Sequence, residues 1–126
     1  MEQTKQATIL VVDDDLFNLK LLKTQLVVEG HAVRTASSGE EALVAVAEQM
    51  PDLIVLDVMM PGIDGFEVAR RLKADSRSRS IPIIMVTALE DNESRLKGLE
   101  MGAEDFLTKP VNRTELQMRV KNLLKI

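Results

Sequence analysis

Leu53-Ile54-Val55-Leu56-Asp57, four aliphatic residues running directly into a lone carboxylate, is the stretch that decides the fold. Four apolar residues are too few for a helix. The absence of polar alternation says that both faces of the run are covered, as in an interior strand of a parallel sheet. Two other places repeat the pattern: Ile9 to Val12 ahead of Asp13-Asp14-Asp15, and Ile83 to Val86 ahead of Thr87. Ala32 to Ala36 and Asp105 to Thr108, the latter leading into Lys109-Pro110, read as two further, less apolar strands.

The intervals carry a helical period. Leu16, Leu19, Leu22 and Leu26 fall on one face of a helix that Gly30 can end, and Ser38-Gly39-Glu40-Glu41 is a capping-box start for a second. Phe66 to Lys73, after the turn Pro61-Gly62, and Asn92 to Glu100 make a third and fourth; Leu116, Val120 and Leu123 stripe a fifth. Five βα units of about 25 residues each predict a single doubly wound five-stranded parallel sheet with right-handed crossovers and five helices. Ligands of such sheets gather beyond the carboxyl ends of the strands, so the residues there are the ones to inspect.

Composition narrows the chemistry. At 126 residues and 14.0 kDa the chain suits one domain with one core, burying roughly two thirds of the ~20,000 Å² it exposes when extended. Sixteen basic against twenty acidic residues give a net charge of −4, without the basic surplus that direct nucleic-acid binding would need. No apolar run approaches the roughly 18 residues of a membrane span, and Met1-Glu2-Gln3-Thr4-Lys5-Gln6 lacks a signal peptide's layout, so a cytoplasmic protein is expected. With no cysteine and a single histidine, His31, thiol nucleophiles and Cys- or His-rich metal sites are excluded. Three Phe without Trp or Tyr argue against a stacked-aromatic ligand site.

What remains is carboxylates, hydroxyls, Lys and Arg, and these stand at the strand ends: Asp13, Asp14, Asp15, Asp57, Thr87 and Lys109. If the first and third strands are neighbours, at least three carboxylates share a crevice. At ~4 Å and an effective dielectric near 20 each unpaired repulsion costs on the order of 4 kcal/mol, so a cation is required. Hard oxygen ligands favour Mg²⁺ or Mn²⁺, and such an ion leaves positions for phosphate oxygens, to which Lys109 and the Thr87 hydroxyl would add donors. Singly, each residue has a plainer reading: Asp15 or a neighbour as a helix N-cap, Thr87 as the cap of Thr87-Ala88-Leu89-Glu90, Asp57 as a turn residue. Their coincidence at four strand ends is what points to one phosphoryl-transfer site.

Val11-Val12-Asp13-Asp14, then Leu56-Asp57-Val58-Met59-Met60-Pro61-Gly62-Ile63-Asp64-Gly65, then Val86-Thr87-Ala88, then Gly102-Ala103-Glu104-Asp105-Phe106-Leu107-Thr108-Lys109-Pro110 resembles the response-regulator receiver domain of two-component signalling. The resemblance runs from about residue 8 to 125 and implies that residues 1–126 are one receiver domain, either a single-domain regulator or a fragment of a longer protein. It implies a flavodoxin-like strand order 2-1-3-4-5. It implies that Asp57 takes a phosphoryl group from a phosphohistidine on a sensor histidine kinase or a histidine phosphotransfer protein. Asp14, Asp57 and the Met59 backbone carbonyl would be direct Mg²⁺ ligands, with Asp13 bridged through water, and Lys109 would pair first with the acids and then with the phosphoryl oxygens. Thr87 and Phe106 match a switch pair: the hydroxyl is drawn to the phosphoryl group, the ring turns into the vacated space, and the surface of the fourth helix, fifth strand and fifth helix changes for a downstream protein, an output domain or a second copy.

Met59 and Leu89, two residues after Asp57 and Thr87, flank the approach of hydrolytic water in this family, and neither can orient it by a hydrogen bond; slow loss of the phosphoryl group is expected. Gly98 inside the fourth helix costs ~1 kcal/mol against Ala, either to keep that element movable or for packing. Arg70, Arg71, Lys73, Arg77 and Arg79 form a basic cluster around Asp75 that is either a steering patch or a solvated helix end. His31 beside Gly30 reads as a surface turn residue, and Arg113, Gln117 and Lys121 as the outer face of the fifth helix. The alternative of another class is a haloacid-dehalogenase-like phosphatase, which also uses Asp, Mg²⁺, a hydroxyl and Lys. Asp13 and Asp15 show that family's two-residue spacing, although here the isolated acid follows the third strand and the chain leaves little room for a cap.

Overall fold

The computed structural model describes residues 6–88 and 92–125. Strands and helices alternate throughout: β1 Thr8–Val12, α1 Leu16–Val28, β2 Ala32–Ala36, α2 Gly39–Glu48, β3 Leu53–Asp57, α3 Gly65–Ala74, β4 Ile83–Thr87, α4 Asn92–Glu100, β5 Asp105–Thr108 and α5 Arg113–Leu124. All pairings are parallel and the order across the sheet is β2-β1-β3-β4-β5, as the resemblance implies.

Strand parity builds the two cores. Leu10, Val12, Ile54, Leu56, Ile83, Met85 and Phe106 face α2 and α3, whose Ala42, Val46, Phe66, Val68, Ala69 and Leu72 close that layer. Ile9, Val11, Leu53, Val55, Ile84, Val86 and Leu107 point to the other side, against Leu19, Leu22 and Leu26 of α1 and Leu116 and Val120 of α5. Every residue of β3 and β4 is buried, which is why both read as unbroken apolar runs.

Three departures from the sequence reading concern the site's edge. First, β3 and β4 each run one residue further than expected. Asp57 pairs with Val86 and Thr87 with Thr108. The Val58 and Lys109 N–H groups donate to the Val86 and Thr87 carbonyls at 3.0 and 2.9 Å, so the ladder holds both polar residues as last rungs of strands. Second, Leu16 does not join the leucine stripe but is 68% exposed, because the first turn of α1 overhangs the strand ends and the helix meets the sheet only from Leu19. Third, Ser38 caps α2 by accepting from the Glu41 N–H at 3.0 Å, but the Glu41 carboxylate returns to Ser37, accepting from its N–H at 3.1 Å. The expected box is thus displaced by one residue. α1 ends where the Gly30 and His31 N–H groups close onto the Val27 and Leu26 carbonyls, at 2.9 and 3.2 Å. His31 follows this turn as expected but is half-buried rather than at the open surface.

Candidate functional site

The site is assembled by the carboxyl ends of β1, β3, β4 and β5. The Asp13 N–H donates to the Ala36 carbonyl at 3.1 Å, carrying the β1–β2 ladder one step past the strand and fixing the Asp13 backbone. Asp57, on the neighbouring strand, is held by β4. Gly65 begins α3 against the Asp57 backbone: a Cβ there would strike the Asp57 carbonyl oxygen and stand 2.9 Å from the Val58 Cα. The residue must be glycine for the loop carrying Met59 to fold back over the strand end.

One oxygen from each of Asp13, Asp14 and Asp57 lies within 4.8 Å of the others. Asp13 and Asp57 are buried, and Asp14 is exposed at the rim. Lys109 Nζ bridges the buried pair, 3.3 Å from Asp13 Oδ2 and 3.2 Å from Asp57 Oδ1. One ammonium does not balance three carboxylates. Burial first, and then the Asp13 charge, push the Asp57 carboxyl up from 3.8 to about 6 against the pull of Lys109. Burial opposes the Lys109 charge too, but Asp57 and Asp13 outweigh it and raise the lysine's pKa. The cluster is therefore short of positive charge, and its donors are the hard carboxylate oxygens that Mg²⁺ takes. On that chemistry the residues fit the ion.

Asp15, adjacent in sequence, is not in the cluster. Its Oδ1 accepts from the Phe17 and Asn18 N–H groups at 3.0 and 3.2 Å as the N-cap of α1. Of the three consecutive acids, Asp13 and Asp14 thus gather with Asp57 while Asp15 is taken up by the helix start, away from the two-residue spacing of the phosphatase alternative. Thr87 is buried at the end of β4. The cap suggested for Thr87-Ala88-Leu89-Glu90, and Leu89 itself, fall outside the described residues. Met59 is 61% exposed at the mouth of the site.

Phe106 is buried against Met85, on the face that α4 covers. Gly98 explains how it fits: a Cβ at that position would run into the Phe106 ring. The glycine is there for packing, and the Phe106 ring lies inward beneath it. Sequence reasoning missed Asn18, whose Nδ2 donates to Asp13 Oδ2 at 2.6 Å. The signal was an amide five residues after Asp13, in the first turn of a helix whose side chains lean back toward its start. The basic cluster proves to be largely paired within the fold. Arg70 and Arg71 hold Glu67 through bonds of 2.6 and 2.7 Å, bringing its carboxyl down to about 2. Lys73 meets Glu104 at 3.0 Å and Arg77 meets Asp75 at 3.0 Å. On α5, Gln117 donates to Glu29 at 2.7 Å.

The family model for the response regulator receiver domain matches residues 9–121. The chain belongs to the response regulator receiver domain family. It is 50% identical over 119 residues to the response regulator PleD of Caulobacter vibrioides, covering 94% of this chain and 26% of PleD. It is 46% identical over 118 residues to the transcriptional regulatory protein AfsQ1 of Streptomyces coelicolor, covering 94% of this chain and 51% of that one. Among solved structures, the signal receiver domain of a signal transduction histidine kinase from Syntrophus aciditrophicus superimposes with a TM-score of 0.88 at 38% identity, covering 94% of this chain and 90% of that one. The chain thus spans about a quarter of PleD and half of AfsQ1, and similar receivers stand in proteins with differently named roles. Among the described residues no helix is long and apolar enough to cross a membrane.

Proposed function

We propose that this receiver, taken as residues 1–126, is a phosphoacceptor. Asp57 is the group phosphorylated, and a phosphohistidine on a sensor histidine kinase or histidine phosphotransfer protein is the donor. The observation that carries the reading is the Lys109 ammonium shared between Asp13 and Asp57 inside a buried cluster still short of positive charge. A carboxylate oxygen of Asp57 attacks phosphorus, an O–P bond forms as the N–P bond breaks, and the departing imidazole keeps the electron pair and takes a proton from solvent. Asp14, Asp57 and the Met59 carbonyl would hold Mg²⁺ directly, with Asp13 acting through a bound water. The ion supplies neutralisation of the phosphoryl oxygens and of the crowded acids. Lys109 leaves Asp13 and Asp57 for a phosphoryl oxygen, and the Thr87 hydroxyl donates to another.

Leu16 and Phe17 in the first turn of α1 and Met59, two residues after Asp57, are exposed by 68, 78 and 61% and suit a donor that presents its histidine on a helix with an apolar stripe. Phosphorylation draws Thr87 to the phosphoryl group and stabilises the arrangement with the Phe106 ring inward. The α4–β5–α5 surface then offers one fixed form to a downstream protein, an output domain or a second copy. Contact with nucleic acid belongs to that output, as the name of AfsQ1 suggests. Self-phosphorylation and slow self-dephosphorylation are the only chemistry required, and a cytoplasmic location matches the kinases that donate. Incubation with acetyl phosphate and Mg²⁺, followed by intact mass, tests the reading. Wild type gains one phosphoryl group, and Asp57→Asn or chelator-treated protein gains none; equal gain by the variant overturns it.

A further inference from the structure

Asp13 is a buried acid with three donors around its carboxylate. Its Oδ1 accepts from the Asp15 N–H at 2.9 Å, and its Oδ2 accepts from Asn18 Nδ2 at 2.6 Å and pairs with Lys109 Nζ at 3.3 Å. A carboxylate has roughly four acceptor positions, so three are met by the chain and one remains. Two of these donors are permanent parts of the start of α1, while the third is the lysine that the phosphoacceptor reading requires to move.

We propose that Asn18 is a positioning residue for metal binding: its amide holds the Asp13 carboxylate in place and aimed at the cation when Lys109 leaves for the phosphoryl group. The inference rests on the phosphoacceptor reading above. The residue type fits the task in three ways. An amide nitrogen can only donate, and the Asp13 oxygen it meets at 2.6 Å can accept it, so the Asn18 side chain is oriented by the Asp13 carboxylate. Being neutral, it steadies the acid without opposing a divalent cation as a second lysine would. Being the third residue of α1, behind the Asp15 cap that accepts from its own N–H at 3.2 Å, its backbone is fixed relative to Asp13. Hydrogen-bond partners of metal-holding carboxylates commonly account for about 10- to 100-fold in metal affinity.

The test is calorimetric titration of Mg²⁺ into the metal-free full chain for wild type, Asn18→Leu, Asn18→Ala and Asn18→Gln. It is paired with acetyl phosphate-driven phosphorylation across a Mg²⁺ series and urea midpoints without metal as a folding control. Leu and Ala are expected to weaken Mg²⁺ about tenfold while the phosphorylation rate at saturating Mg²⁺ stays near wild type. Gln, which keeps the donor on a longer stem, recovers most of the affinity. Unchanged affinity in folded Leu and Ala variants overturns the role of Asn18 and leaves the phosphoacceptor reading standing. So does a loss confined to the saturated rate, or a Gln variant no better than Leu. A wild-type chain that binds no Mg²⁺ overturns both.

Discussion

At the scale of single residues, Asp57 carries a charge that the fold holds at a cost. Its folded pKa of about 6 lies above the ordinary 3.8, so the folded chain keeps an extra proton between about pH 4 and 6, and stability falls as pH rises through that window. At 1.36 kcal/mol per unit the penalty is about 2–3 kcal/mol once Asp57 is ionised. In chelator, Asp57→Asn is expected to be more stable than wild type by about that amount at pH 7.5, with the gap closing near pH 4; urea unfolding at the two pH values measures it. A gap that does not change with pH contradicts the assignment. Met59, exposed and apolar, gives hydrolytic water no hydrogen-bond partner. Replacing Met59 with Asn and Leu89 with Glu should therefore shorten the lifetime of the phosphorylated chain, followed by intact mass over time, and unchanged decay would remove these positions from the account.

Among the elements, α4 and β5 are coupled through one missing methyl group. Alanine at position 98 gains about 1 kcal/mol of helix propensity, but it overfills a packed site, which costs about 1–3 kcal/mol. With the Phe106 ring directly in the path of the new Cβ, packing wins, and Gly98→Ala is expected to lower stability by about 1 kcal/mol. Adding Phe106→Leu should return much of the loss, because the two changes share one volume; a double-mutant cycle from urea midpoints reads the coupling. Additive effects would show that the ring is not held by α4.

The elements also show how far sequence reaches. β3 and β4 were legible because burial on both faces removes every polar residue from the run, and β2 and β5 because the αβ alternation required a strand there. Asp57 and Thr87 looked like residues beyond their strands because polarity marks the end of a run, whereas hydrogen bonds to β4 and β5 decide where the ladder ends. Leu16 was misplaced because a heptad-like stripe does not say where along the helix the sheet begins. The acids and Lys109 were legible as a set by their places at strand ends. Asn18, Gly65 and the fit of Gly98 to Phe106 were not, since each depends on a distance between elements that no local pattern encodes.

Over the whole molecule, the crevice is where folding and the proposed Mg²⁺ binding would share one free energy. Three carboxylates against Lys109 destabilise the metal-free chain, so Mg²⁺ at ten times its dissociation constant should raise stability by about 1.4 kcal/mol, read as a shift in the urea midpoint. Absence of a shift at millimolar Mg²⁺ would contradict the site. The rest of the fold serves to keep that crevice fixed: two apolar layers clamp β1, β3 and β4, and the acids ride on their ends. The measurement that bears most directly on the central claim is phosphotransfer from a histidine phosphotransfer protein carrying labelled phosphohistidine, followed by peptide mapping of this chain. The account predicts a single hydroxylamine-labile label on Asp57, lost in Asp57→Asn and in chelator; label on another residue, or transfer that survives the substitution, would contradict it.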